Sequence, residues 1–446
     1  MWTTMRQLRK YKRNEQLSRA RFEELKLEEF RKLVRHANRH SPYYARIVKE
    51  HGIRIEICTP ADFPVLTKSL LMANFDAILT DRNITKQGIA EFLTRSSEPH
   101  DLFLNRYRVI HTSGSSGEVG YFVYSPQDWM RGLAQGLHRR STPMPRIGLR
   151  RLRIAYFGAV GGHYAGVTFM SSAKRGLGRL FLNVELYEIN SPLPRVIEQL
   201  NEFQPDLLGG YTNALKVLAA RQREGVLRIK PFLINAAGEA MTAQDGAVLE
   251  QAFGCPATNL YASSEHLMMG IAEPGKSTMT LLDDDLIYEF REDHSLVTNL
   301  FNYTLPLIRY RMGDILRPIP GGGSWPPYIQ IDSLVGRSEQ TPVFLNRDGA
   351  QDFISPHTIN EIFVAGVTRF QMRVLGDANF SFAVCLDTAL DATQRAAAVS
   401  GVQRRLREIL DQKLMNNVTF AVVVVDDIPV NPRSRKFQLI VDARTP

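Results

Sequence analysis

The chain is poor in cysteine. Cys58, Cys255 and Cys385 are the only three in 446 residues, and no two lie close in sequence. That excludes a disulfide framework and a zinc site on the usual CxxC spacing, and a reducing, cytoplasmic setting is the expectation. Long apolar runs are also lacking. The strongest, Val418–Val425, is far too short to cross a bilayer, so no membrane span is expected. The opening residues, MWTTMRQLRKYKRN, carry positive charge but no apolar core of a secretory signal. Negative charge is scarce at one end. Residues 1–60 hold 15 Lys or Arg against 7 Asp or Glu, which is +8 of the chain's net +9. The remainder is close to neutral, which argues against a uniformly basic nucleic-acid wrapper. A basic arm or a basic helical face is left.

What is present is ordinary for a folded protein of two to four domains: 44% apolar and 23% charged residues. Residues 15–50 read as helix, with Leu17, Phe22, Leu25, Phe30, Leu33 and Val34 at helical spacing and Ser41-Pro42 as its end. From about residue 105 short apolar runs alternate with helical stretches, which predicts a sheet with crossover helices. A β-rich stretch runs from Met279 to about Ile331, and Pro318–Pro327 is a loop by composition. After it comes a smaller α+β unit. It has a hairpin around Asp348-Gly349, strands at Phe370–Leu375, Phe380–Leu386 and Val418–Val425, and a helix from about Ala392 to Lys413. The best boundary lies near residues 336–340.

The segment His111–Gly120, HTSGSSGEVG, can turn tightly and point backbone N–H groups outward, with Thr and Ser hydroxyls as further donors. That makes a concave anion site. It is not a Walker A loop, because the lysine of that motif is absent. Four further motifs follow in order: NAAGEAMT at 235–242, ATNLYASSE at 257–265, VTNLFNYTLPLIRYRMGD at 297–314 and IDSLVGRSE at 331–339, with VNPRSRK at 430–436 near the end.

In this order and spacing the motifs resemble the adenylate-forming superfamily of acyl-CoA synthetases and adenylation domains. Within it the chain is most similar to the phenylacetate–coenzyme A ligase family, with its capsule-biosynthesis and coenzyme F390 synthetase-like members. The segments FRKLVRHANRHSPYYARIVKEHGI and DFPVLTKSLL look like that family's opening helices. The resemblance covers essentially the whole chain. It implies a large multi-sheet α/β adenylation domain over 1–337, mainly helical in 1–100. A small mobile α+β domain follows over 338–446, with Glu339 at the hinge.

The resemblance also implies a reaction. A carboxylic acid, expected to be aromatic, joins the α-phosphorus of ATP, pyrophosphate leaves, and the acyl group passes to a thiol. The acceptor is coenzyme A or the phosphopantetheine of an acidic carrier protein. Thr112, Ser113, Gly114, Ser115, Ser116 and Gly117 are expected to hold the β- and γ-phosphates. Ala237, Gly238 and Glu239 would line the adenine site, with the ring of Tyr261 against the purine and Ala262 and Ser263 beside it. Ser264 would reach the α-phosphate, and Glu265 would help hold Mg2+, a hard cation that prefers oxygen. Asp314 would accept the ribose hydroxyls and Arg337 would be a second ribose or phosphate contact. Lys436 would be the mobile cation that bridges carboxylate and nucleotide. Tyr156, Phe157, Gly161, Gly162, His163 and Tyr211 fall where the family builds its acyl pocket. No nucleic acid partner and no zinc are implied, and a homodimer is allowed.

Three departures from the family pattern stand out. Glu118-Val119-Gly120-Tyr121 replaces the Lys-bearing step after the phosphate loop. Arg435, not Gly, precedes Lys436. The segment EQTPVFLNRDGAQDFISP reads as a longer hairpin where the family has a short tunnel-lining motif. These leave two alternatives: a non-thiol acceptor such as an amine, or a degenerate member that binds nucleotide without turnover.

Overall fold

The computed structural model describes residues 2–112, 119–138, 150–174, 179–272, 274–276, 278–320, 327–332, 341–362, 364–428 and 438–444. Ser113 to Gly117, Glu118, Arg337, Glu339 and Lys436 therefore lie outside the described residues.

The stretch read as helical over 15–50 breaks where expected, at Ser41-Pro42, into Arg19–His40 and Pro42–Glu50, and Trp2–Asn14 precedes them. Ser41 divides the pair. Its backbone N–H reaches back to the Ala37 carbonyl, while its hydroxyl accepts from Tyr44 N of the next helix. Pro42 is tolerated there because the first residue of a helix has no N–H partner to lose.

Part of the basic charge of these helices is turned inward. Asp283, Asp284 and Asp285 are buried in succession. Lys10 Nζ lies 2.6 Å from Asp285, and Asn14 donates to Asp284 at 2.7 Å. Arg19 and the buried Lys26 lie 3.0 and 3.1 Å from Asp283. Part of the surplus read as a solvated face thus neutralises an acidic triplet that would be costly to bury alone.

The central sheet has eight strands. Leu182–Glu188, Leu152–Gly158, Leu207–Tyr211, Leu233–Ala237 and Ala257–Ser263 run parallel in that spatial order. Leu267–Ala272, Thr278–Leu281 and Gln330–Asp332 extend it antiparallel. Helices Leu193–Phe203, Thr212–Arg223 and Ala243–Phe253 cover it around a core that includes Leu208, Ile234 and Leu218. Beside it lies a three-stranded antiparallel sheet of Leu286–Phe290, Ser295–Asn299 and Tyr310–Met312. That sheet shares a second core with the N-terminal helices and the hairpin Arg108–His111 and Tyr121–Tyr124.

Among the described residues a third core is built from Phe344 onward. Here Thr419–Val424, Asn379–Leu386, Val367–Gly376 and Ile440–Asp442 form one sheet, covered by helix Ala392–Gln412. The hairpin Val343–Leu345 and Gln351–Phe353 turns at Gly349, whose φ of +76° suits glycine. Phe344 packs in the third core while Phe353 packs in the core of the central sheet. No helix among the described residues is long and apolar enough to cross a membrane.

Candidate active site

Parallel strands in register bring distant motifs to one edge. Tyr211 pairs with Ala237, and Ala237 with Leu260. Tyr211, Ala237-Gly238-Glu239 and Tyr261–Glu265 therefore emerge side by side at the carboxyl ends of three neighbouring strands, where open α/β sheets bind ligands. Gly238 leaves its strand at φ +76°, and a Cβ there would lie 2.9 Å from the Tyr211 ring. Only glycine fits that turn. The Glu239 carboxylate has its own task. It accepts from Asn213 N at 2.8 Å, in the first turn of Thr212–Arg223, and burial pushes its carboxyl up.

Tyr261 reaches across to the small sheet. Its hydroxyl donates to Asp314 at 2.8 Å. Burial, then the Asp314 charge and this hydrogen bond, raise the Tyr261 phenol well above its ordinary range. The turn after it is held from several sides. Tyr124 Oη donates to the Ser264 carbonyl at 2.6 Å, Asn299 Nδ2 to the Glu265 carbonyl at 3.4 Å, and His266 N to Ser263 Oγ at 3.1 Å. Leu267 is fixed at φ +57°, a conformation non-glycine residues keep only where surroundings impose it. Burial pushes the Glu265 carboxyl up. Ser263 and Lys68 offset this in part, while Asp314 adds to it.

The phosphate-loop expectation can be followed to Thr112. Thr112 N donates to the Gly120 carbonyl at 3.0 Å, and Gly120 N donates to Thr112 Oγ1 at 2.9 Å, which closes the mouth of the loop. Lys68 Nζ donates to the same hydroxyl at 3.0 Å. Sequence reasoning missed Lys68. The available signal was its position: Thr67 caps the helix Lys68–Ala73, which makes Lys68 a cation at the positive end of a helix dipole. Such a residue is better used elsewhere.

The expected pocket residues divide. Tyr156 and Tyr211 meet edge to face at 6.4 Å. Tyr156 occupies the space that Gly158 and Gly166 leave; a Cβ at Gly166 would lie 2.6 Å from its hydroxyl. Burial holds the Tyr156 phenol at about 12. Gly162 turns beside Tyr164, and nothing crowds Gly161. Phe157 instead packs on Phe353 in the core. His163 faces Ser96 Oγ at 3.1 Å and the ring of Phe92 at 5.0 Å, and burial lowers its pKa. Phe157 faces the opposite side of its strand from Tyr156, and His163 is buried beside Ser96 and Phe92. The structure adds two residues that sequence reasoning passed over. His357 meets the Tyr211 ring at a tilt, centroids 4.2 Å apart, and lies 2.6 Å from Glu361, an i,i+4 pair visible in SPHTINE.

No family model matches the chain. Protein CapK of Staphylococcus aureus is 23% identical over 317 residues. The match covers 65% of this chain and 62% of that protein, under two thirds of its length. A solved 2-hydroxyisobutyryl-CoA ligase, in complex with 2-HIB-AMP and CoA in the thioesterification state, matches with a TM-score of 0.61 at 17% identity. That match covers 96% of this chain and 91% of the ligase. The same ligase in the postadenylation state with R3-HIB-AMP gives 0.54 at 16% identity, over 97% and 92%. The chain has the adenylate-forming fold.

On this adenylate-forming fold the described site offers a cation and a hydroxyl for a polyanion (Lys68 and Thr112), a ring at the sheet edge (Tyr261), and an exposed carboxylate for hydroxyl donors (Asp314). Among the described residues no group of three or more His, Cys, Asp or Glu is arranged to hold a metal. A divalent cation would need oxygens from a ligand. Glu265 fits such a cation, since its carboxyl is desolvated more than its partners compensate.

Proposed function

We propose that this protein is an ATP-dependent acid–thiol ligase. A carboxylate oxygen bonds to the α-phosphorus of ATP, the bond to the bridging oxygen breaks, and pyrophosphate leaves. A thiol then takes the acyl group and releases AMP. The observation that carries the proposal is the Tyr261–Asp314 bond at 2.8 Å, with Glu265 within reach of the charges of both Asp314 and Lys68. It joins a ring for a purine and a carboxylate for a ribose at one sheet edge.

The main burden in this reaction is negative charge on the phosphoryl oxygens. Lys68 answers the missing loop lysine by meeting the β- and γ-phosphates together with the Thr112–Gly117 loop. The backbone of Ala237, Gly238 and Glu239 takes the adenine, Asp314 the ribose hydroxyls, and Arg337 the ribose or a phosphate. Ser264 donates to the α-phosphate. Glu265 would hold Mg2+, which would supply charge neutralisation there. Lys436 bridges carboxylate and nucleotide, then withdraws as the domain over 338–446 turns about Glu339. Tyr156 and Tyr211 suit a flat aromatic acid as pocket wall. Coenzyme A or carrier-bound phosphopantetheine is the thiol.

Acid-dependent ATP–pyrophosphate exchange over a panel of aromatic and aliphatic acids tests the proposal. Exchange with at least one acid is expected, and K436A should abolish it while ATP binding persists. No exchange with any acid of the panel would overturn the ligase reading.

A further inference from the structure

The segment after the hairpin strand Gln351–Phe353 brings a histidine and a glutamate beside Tyr211. Helix Pro356–Asn360 carries His357, and Glu361 ends it. The His357 Nε2 and Glu361 Oε1 atoms are 2.6 Å apart, and both side chains are largely withdrawn from solvent. The His357 ring lies 4.2 Å from Tyr211 and edge-on to Tyr164 at 6.4 Å. Tyr211 is also the ring against which Gly238 turns. One tyrosine therefore touches both the nucleotide motif and this histidine.

The helix is anchored. Ser355 caps it through His357 N, and Thr358 Oγ1 donates to Asn190 at 3.0 Å. Nearby, Lys413 donates to the Ile189 and Ser191 carbonyls and meets Asp352 at 3.1 Å. These contacts hold the helix beside Tyr211 in the arrangement seen here, the one we assign to transfer after the 338–446 segment has turned.

We infer that His357, oriented by Glu361, takes the proton of the thiol in the second half-reaction. The inference rests on the ligase reading. Glu361 stands on the Nε2 side of the ring, which leaves Nδ1 as the nitrogen away from the carboxylate. The thiol sulfur attacks the carbonyl carbon of the acyl-adenylate and a C–S bond forms. The C–O bond to the phosphate breaks, AMP leaves with that electron pair, and the thiol proton passes to His357 and then to solvent. The pair arrives with the C-terminal segment. This suits a base required for transfer and not for adenylation.

The test separates transfer from adenylation. The unsubstituted protein is first assayed for pyrophosphate exchange; its absence with every acid sinks the ligase reading and the inference with it. Acyl-adenylate is then formed in place with pyrophosphatase present. It is mixed rapidly with coenzyme A or with 4-nitrothiophenol, a thiol already ionised at neutral pH. Transfer is read per bound adenylate. H357N should slow transfer to coenzyme A by about 10²-fold or more, and transfer to the ionised thiol by less than about threefold, because only the former needs a base. E361Q should slow coenzyme A transfer by about tenfold with the same pattern, and it decides the matter if H357N does not fold. Unchanged transfer to coenzyme A, or equal losses with both thiols, overturns the inference.

Discussion

Lys413 and Asp352 are both fully buried and meet at 3.1 Å, where the C-terminal unit rests on the connection between Leu182–Glu188 and Leu193–Phe203. Asp352 also accepts from Leu193 N at 2.9 Å, and Lys413 lies over the Phe353 ring at 4.9 Å. Burial lowers the pKa of the Lys413 ammonium, and Asp352 works against this. Removing one partner leaves a buried charge uncompensated. K413M should therefore cost about 3–5 kcal/mol in urea unfolding, and K413M/D352N should recover at least half of that. A cost near zero for K413M would show that the pair does not fasten the two parts.

Lys68 donates to the Thr112 hydroxyl at 3.0 Å. K68A should lower pyrophosphate exchange by about 10²-fold, the scale of losing one donor to developing phosphoryl charge. K68R should keep part of the rate. Exchange unaffected by K68A would leave Lys68 as a strut for Thr112.

Tyr261 and Asp314 share one hydrogen bond. Y261F keeps the ring and removes the bond, at a cost of about 1 kcal/mol. The KM for ATP should rise about fivefold with kcat little changed, the signature of lost uniform binding. A fall in kcat at constant KM would assign Tyr261 to the chemical step instead.

Asp285 sets an acid limit. Burial works to raise its carboxyl, but Lys10, Arg131 and the Tyr11 hydroxyl outweigh burial and hold it at about 2 against an ordinary 3.8. A depressed carboxyl stabilises the fold in full above its unfolded value, and the stabilisation is lost as pH falls from 3.8 to about 2. The loss is on the order of 2 kcal/mol. D285N should be less stable than the parent at pH 5, with a shallower decline below pH 4 in urea midpoints. Parallel declines for the two proteins would count against this pairing.

Much of the fold was legible along the chain. Alternating short apolar runs and amphipathic stretches announced the parallel strands, because a strand buried on both faces needs a continuous apolar run. The strand Leu182–Glu188 was passed over, since LNVELYE mixes polar residues at one edge of the sheet. Gly349 was legible as a hairpin turn, since few residues other than glycine adopt its φ. The basic N-terminus was legible as charge but not as partnership with Asp283, Asp284 and Asp285.

The sequence by itself determined the α/β class, the order of the motifs and the residue types they offer. These are local properties, set by periodicity, turn chemistry and side-chain chemistry. Only the tertiary structure decided which groups meet. Lys68 reaches Thr112 from 44 residues away, Tyr261 reaches Asp314 from 53, and His357 reaches Tyr211 from another core. Tertiary structure also turned His163 and Phe157 into packing. Such meetings depend on strand register and on how layers close over one another, and no window of the chain contains that information.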